Sequence, residues 1–265
     1  MCIRDRLGAG GQVGRQVVDR LRDEGVDVVA ASRTTGTDAY RNVGLTDAVT
    51  DADVVVDCLN VTTMKAKAAV DFFATTATNV GRAAHAAGAA VVCLSIANAT
   101  DPEVNRKFGY YQGKSAQEQA YRRELEPKAL TIVASTQWYE LAAQMMGTMR
   151  LGPLALVPHM RCRPAAAVDV AEVVAREAIT AARNETRSEP RVIEVAGPDE
   201  LDLVTVARSI ARQQGAPRWV AGVRFGGAAI RNGGLVPADP EVVTPTTLPE
   251  WVARQYPAST SEAQR

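Results

Sequence analysis

Histidine is scarce in this chain. Only His85 and His159 occur in 265 residues, and no cluster of Cys, Asp or Glu accompanies them at a ligand spacing. A zinc site needs three or four such ligands, so no metal is expected. Cysteine is almost as rare. Cys2, Cys58, Cys93 and Cys162 form no CxxC pair, and Cys58 and Cys93 lie in apolar runs. Such usage suits a reduced, cytoplasmic setting with cysteine as a small core residue. Charge of one sign is missing too: 30 Lys and Arg balance 30 Asp and Glu, with no run of like charges. No basic field is available to hold nucleic acid. No apolar run approaches the roughly 20 residues of a membrane helix, and the start does not read as a signal peptide. What is present, 46% hydrophobic and 23% charged residues, describes an ordinary globular chain. Its length allows one large core, or a core with a smaller lobe.

Glycine is concentrated where it carries meaning. In LGAGGQVGRQVV, Gly8, Gly10, Gly11 and Gly14 precede an apolar repeat at Val13, Val17 and Leu21, with Gly25 placed to stop a helix. Glycine lets a backbone approach a ligand closely. The helix N-terminus behind it offers free N–H groups and partial positive charge to a pyrophosphate. The pattern needs a strand on one side and a helix on the other before it means a dinucleotide. The helix is there, and so is a second strand, VDVVAAS, at Val26–Ser32.

The strand before the glycines is wrong. MCIRDR places Arg4, Asp5 and Arg6 where a central parallel strand should be apolar, and burying unpaired charges costs several kcal/mol per ion. The transposon-end adapter ATGTGTATAAGAGACAG translates as Met-Cys-Ile-Arg-Asp followed by a partial Ser or Arg codon. We therefore read residues 1–6 as adapter sequence standing in place of a short apolar strand. An extended segment can still pair in that slot, because backbone hydrogen bonding is open to any residue.

Further runs alternate. Asp53–Leu59, Ala89–Ser95 and Leu130–Ser135 read as strands. A long helix carries Val70, Phe73, Ala77, Val80 and Ala84 and closes at Gly88, where His85 is a favourable cation at the helix end. Tyr110–Glu124 and about Tyr139–Met149 read as helices. Strands alternating with helices predict an α/β fold with a doubly wound parallel sheet. After Gly152-Pro153 the texture changes to shorter strands (LALVP, RVIEVAG) and helices at Val168–Ala182 and Asp202–Gln214. This divides the chain into a nucleotide-binding domain, 1–150, and a smaller C-terminal lobe, 151–265.

Taken together, LGAGGQVGRQVV, AASR, DVVVDCLN, VVCLSI with YYQGKSAQEQA, TIVASTQWYE, AVDVAEVVA and VIEVAGPDEL resemble an atypical short-chain dehydrogenase/reductase of the NmrA-like, NAD(P)H-binding family. The resemblance covers nearly the whole chain from Leu7. It implies a Rossmann domain that grips the cofactor through Gly8, Gly10, Gly11, Gln12, Val13 and Gly14. The chain departs from the family at the first strand and at Leu7, where Thr is frequent. Many members also lack the active-site tyrosine, so the resemblance supports the cofactor better than a reaction. Folds that choose NAD place an acid at the end of the second strand, whereas an arginine suits the 2′-phosphate of NADP. Ser32 and Arg33 stand there with no acid, which favours NADP(H) over NAD(H); a guanidinium grips phosphate with two parallel bonds. Asn60, in the loop through Thr63, is placed beside the adenosine or pyrophosphate.

Tyr110 and Lys114 share a helix face one turn apart. An ammonium near a phenol favours the phenolate and suits the tyrosine to exchange a proton with a carbonyl or alcohol. In the family this lysine also reaches the nicotinamide ribose. Ser95, at the ligand-bearing end of its strand, is placed to orient the reacting oxygen. Ser95, Tyr110 and Lys114 are thus the catalytic candidates, with Tyr111 a rival for the proton role. Gln137 and Trp138, after the next strand, are candidates for the substrate pocket. Three functions follow: an NADPH-dependent reductase of a small carbonyl or quinone, a non-catalytic NADP(H) sensor, or a sugar-nucleotide epimerase or dehydratase. Each takes a small molecule, and the sequence is compatible with a homo-oligomer.

Overall fold

Val54, Val55 and Val56 have no exposed surface at all, and around them the molecule is arranged. They belong to β4 (Val54–Asp57), which pairs in parallel with β5 (Ala90–Ile96); β5 pairs with β6 (Leu130–Ser135). The structure is a computed structural model that describes residues 2–4, 6–7, 11–63, 65–106, 108–183, 187–224 and 228–257.

The slot on the other side of β4 is filled by two short strands. β1 (Cys2–Arg4) pairs with β3 (Asp27–Val29), and β2 (Arg6–Leu7) pairs with Val56 and Asp57. Cys2–Arg4 and Arg6–Leu7 thus lie between β3 and β4, in the place of the first strand. Beyond β6 come β10 (Arg191–Ala196) and β13 (Val242–Val243), all in parallel. Strand order reverses across the slot while all strands stay parallel: from β1 and β2 the sheet grows to β3 on one side and, from β4 onward, to the other. Ligands of open α/β sheets bind at the carboxyl ends of strands beside such a reversal.

Both faces of the sheet are covered, so alternate side chains along each strand enter different cores. Val54, Val56, Val92 and Leu94 face α1 (Gln12–Asp23) and α7 (Ala167–Ala181). Val55, Val91, Cys93 and Ile132 face α3 (Ala66–Ala87) and α5 (Gly109–Glu124). Gly25 and Gly88 follow α1 and α3 in the left-handed conformation, at φ 72° and 71°. Glycine adopts this without penalty. Small helices α2 (Leu45–Val49) and α4 (Pro102–Asn105) fill the connections.

The smaller part contains α6 (Glu140–Thr148), β7 (Arg150–Leu151), β8 (Leu154–Pro158) and β9 (Arg161–Cys162). With them go β11 (Leu201–Asp202), α8 (Leu203–Gln214), β12 (Trp219–Val223), α9 (Ala228–Arg231) and α10 (Leu248–Gln255). β8 lies between β7 and β12, while β9 pairs with β11. Three elements of the range 151–265 join the main sheet instead: β10 and β13 extend it, and α7 covers one face. Their apolar positions account for this: Ile193, Val195, Val170 and Val174 are fully buried against β4, β5 and β6. Among the described residues, no helix is long and apolar enough to cross a membrane.

Candidate functional site

Around the glycine turn, Gly8 and Gly10 lie outside the described residues. Gly11 is the N-cap of α1, exposed, with no side chain capping the helix and no acidic residue in its first turn. Among the described residues, the positive end of the helix is thus capped by no side chain and faces no acid of its own first turn. Gln12 is exposed beside it, while Val13 and Gly14 are buried and seat the helix on the sheet.

At the carboxyl end of β3, a single helical turn spans Arg33–Thr35, with Ser32 as its N-cap. Ser32 Oγ and Thr34 Oγ1 lie 2.7 Å apart, and the Ser32 N–H donates to Thr35 Oγ1 at 2.8 Å. Arg33 projects from this knot of hydroxyls and is exposed. Hydroxyls and a guanidinium on a short turn, with no carboxylate, suit a phosphate monoester. Asn60 follows β4 at the same end of the sheet and is exposed; its Oδ1 accepts from the Val61 N–H at 2.9 Å. These residues stand together at the end of the sheet where a dinucleotide would lie.

The catalytic candidates sit where α5 crosses the ends of β4 and β5. Lys114 is 3% exposed, and its Nζ donates to the Leu94 carbonyl and to Gln117 Oε1, both at 2.9 Å. It also lies 4.4 Å from the centre of the Phe73 ring. Gln117 Nε2 in turn donates to Asp57 Oδ2 at 2.7 Å, as does the Tyr121 hydroxyl. A third donor, the Leu59 N–H, reaches Asp57 Oδ1 at 2.8 Å. The carboxylate is fully buried and well supplied with donors, which is the condition for keeping such a group in a core.

Ser95 is 3% exposed and donates to Glu118 Oε1 at 2.5 Å. Burial holds the Glu118 carboxyl above its ordinary range, against the pull of this hydrogen bond, Arg122 and Lys114. Ser95, Asp57, Lys114, Gln117, Glu118 and Tyr121 thus form a polar seam between sheet and helix.

Tyr110 is half-buried, one turn before Lys114 on the same face. Its ring meets Phe73 edge-on at 5.7 Å and Tyr111 at 6.3 Å. Among the described residues, its hydroxyl has no hydrogen-bond partner. Tyr111 differs. It is 6% exposed and its hydroxyl accepts from Gln137 Nε2 at 2.6 Å. Burial pushes its phenol well up, with Tyr110 and Cys162 adding to the shift. A phenol so placed is a poor candidate for passing through its ionised form. Gln137 is buried, and its Oε1 has no partner among the described residues. Trp138 Nε1 donates to Ser135 Oγ at 3.0 Å, with its ring against the core beneath α1 and α7.

The structure therefore brings Ser95, Tyr110 and Lys114 to one helix crossing, yet no hydrogen bond links them. Ser95 and Lys114 are satisfied internally, by Glu118, Gln117 and the Leu94 carbonyl. Asp57, Gln117, Glu118 and Tyr121 were not singled out from the sequence. A signal existed: Lys114, Gln117, Glu118 and Tyr121 recur at i, i+3, i+4 and i+7, one helix face. A polar stripe of that kind reads as a solvent face unless the facing strand offers Asp57 and Ser95.

No protein-family model matches the chain, and no curated protein matches it. Solved structures share its fold. The dTDP-4-dehydrorhamnose reductase of Clostridium acetobutylicum superposes with a TM-score of 0.68 at 18% identity, covering 96% of this chain and 92% of that one. The dTDP-4-dehydrorhamnose reductase of Bacillus anthracis in complex with NADP gives 0.66 at 16% identity, covering 96% and 92%. MoeE5 in complex with UDP-glucose and NAD gives 0.71 at 17% identity, covering 95% and 96%. The fold is thus the Rossmann-like α/β fold that these structures share.

Proposed function

We propose that this protein is an NADP(H)-dependent oxidoreductase acting on the carbonyl or alcohol of a nucleotide-linked sugar. One observation carries the reaction: Tyr110 presents an unbonded hydroxyl one helical turn from a buried lysine, at the ligand-bearing end of the sheet. The bound nicotinamide would supply or accept the hydride. Tyr110 gives the proton to the reacting oxygen, or takes it in the reverse direction. Lys114 holds positive charge beneath that phenol and, as its cofactor contact, turns toward the ribose. Ser95 orients the reacting oxygen, which requires it to leave Glu118. Gly8, Gly10, Gly11, Gln12, Val13 and Gly14 hold the pyrophosphate, Ser32 and Arg33 the 2′-phosphate, and Asn60 the adenosine side. Gln137, with its free Oε1, and Trp138 border the substrate. In this reading the range 1–150 grips the cofactor and 151–265 supplies the substrate walls. The sugar-nucleotide class is favoured over a small carbonyl or quinone by the proteins that share the fold, two of them dTDP-4-dehydrorhamnose reductases and one bound to UDP-glucose.

A second reading, a non-catalytic NADP(H) sensor of the NmrA type, is favoured by the internal bonding of Ser95 and Lys114. The deciding experiment measures NADPH consumption with keto-sugar nucleotides, aldehydes, ketones and quinones, beside Tyr110→Phe. Turnover reduced about 10²-fold or more in the variant, with NADPH binding intact, is expected of a proton donor. Equal turnover in the variant removes Tyr110 from the mechanism. Tight NADPH binding with no turnover across the panel favours the sensor. Retained cofactor that is never consumed, with interconversion of two sugar nucleotides, makes the enzyme an epimerase or dehydratase.

A further inference from the structure

Arg163 is an arginine with a cleft and no carboxylate. It is half-buried, and among the described residues its guanidinium forms no ion pair or hydrogen bond. The half-buried Arg191 shows the usual arrangement, with Glu177 Oε2 at 3.1 Å and Glu241 Oε1 at 2.7 Å. Charged groups withdrawn from water normally carry such partners.

The cleft that Arg163 lines has a volume of about 490 Å³. Arg161, Glu200, Asn232, Gly233 and Val236 also border it. Arg161 is already paired with Glu200, so the acid neutralises one guanidinium and leaves the other. The cleft therefore carries one uncompensated positive charge together with the Asn232 amide. Its chemistry is that of an anion site, and the paired donors of a guanidinium match phosphate oxygens.

The backbone fixes this cleft beside the candidate site. The Arg163 carbonyl accepts from Thr136 Oγ1 at 2.6 Å and from the Gly197 N–H at 2.9 Å, which ties it to the carboxyl ends of β6 and β10. The residue after Thr136 is Gln137, whose amide reaches Tyr111. On the opposite wall, Leu235 packs with Tyr111 and Ile230, and Tyr110 packs against the same cluster. Asn98 Nδ2 donates to the Gly234 carbonyl at 2.9 Å, anchoring that wall to the loop after β5.

We propose that this cleft is a phosphate subsite, in which Arg163 and Asn232 hold a phosphate or pyrophosphate group of the substrate whose carbonyl meets Tyr110. The proposal rests on the oxidoreductase reading and assigns the phosphate of its substrate to two named residues. Inorganic pyrophosphate is the first probe, titrated calorimetrically into the protein with and without saturating NADPH. Binding is expected to survive NADPH, to weaken about tenfold in Arg163→Gln and less in Arg163→Lys, and to be unchanged in Arg33→Ala. NADPH binding equal to wild type in both Arg163 variants shows that they are folded. Pyrophosphate binding that vanishes under NADPH, that is equal in Arg163→Gln, or that never appears overturns the subsite. Failure of NADPH to bind the wild type overturns the cofactor reading instead, and the free-protein titration still tests the cleft. UDP-glucose binding tighter than pyrophosphate, with the same dependence on Arg163, assigns the phosphate to a nucleotide. Weaker binding with that dependence assigns it to a small phosphorylated carbonyl compound.

Discussion

Glu118 is 6% exposed and shares a short hydrogen bond with Ser95, while burial raises its pKa from the ordinary 4.5. A carboxyl raised in this way binds its proton more tightly folded than unfolded. The stability it adds is complete below 4.5 and is lost as pH climbs through the folded value. Glu118→Gln keeps an oxygen for Ser95 and removes the titration. Urea midpoints at pH 4.5 and pH 8 are expected to move apart, with the variant gaining on the wild type at the higher pH. A constant difference between the two pH values would mean that folding leaves the Glu118 pKa unchanged. Arg33 supports a second test. It projects from the Ser32–Thr35 turn without a carboxylate partner among the described residues, so Arg33→Ala should weaken NADPH binding about tenfold. NADH, which lacks the 2′-phosphate, should bind as before, and fluorescence titration of the two dinucleotides separates these outcomes. The place of Arg33 was legible in the sequence, because the end of a strand is marked by where its apolar run stops. Asp57 was not, because one acid ending a valine run reads as the strand's exit to solvent, not as an anchor for Gln117 and Tyr121.

Among the elements, α3 and α5 lie against each other through glycine. A Cβ on Gly113 would stand 2.6 Å from Phe73 Cδ2 and 3.0 Å from the Ala69 carbonyl carbon, and one on Gly109 would stand 2.7 Å from the Ala66 backbone. The two helices approach this closely only because those side chains are missing, and the approach sets Tyr110 and Lys114 over Phe73. Gly113→Ala is therefore expected to cost about 1–3 kcal/mol through overpacking. Gly147, in α6, has no atom within 4 Å of its would-be Cβ. There the same substitution should be neutral or stabilise by up to about 1 kcal/mol, through helix propensity. Thermal melting reads both, at about 2–4 °C per kcal/mol for a chain of this size. The opposite signs test the close packing itself, since propensity alone would make both favourable. The helices were legible from their periods: Phe73, Ala77, Val80 and Ala84 face the core, and Gly88 ends α3 as read. Which helix lies against which was not, although Gly109-x-x-x-Gly113 marks a flat face, because spacing along one helix does not name its partner.

Across the whole molecule, strand positions follow from alternating runs and their β-branched composition, so β4, β5 and β6 emerge at nearly their read boundaries. The fate of β10 and α7 was hidden, because a strand of alternating exposure such as Arg191–Ala196 reads equally well as part of a lobe. Only the vacancy beside β6, unknowable from local pattern, draws it into the main sheet. The slot between β3 and β4 presents the reverse case. Its neighbours Val28, Val54, Val55 and Val56 are buried, and cores cover the sheet above and below. Backbone pairing in that slot is made by Cys2–Arg4 and Arg6–Leu7. Pairing satisfies the ladder, but stability in such a place comes from apolar side chains entering both cores, about 1.5–3 kcal/mol for each one fully buried. Replacing Cys2–Leu7 with an apolar strand of the Lys-Ile-Leu-Val type should raise the melting temperature by several degrees. It should also tighten NADPH binding, because that strand feeds the glycine-rich segment read as the pyrophosphate contact. An unchanged melting temperature would show that the slot accepts these residues at no cost, and that the burial of its neighbours does not depend on what fills it.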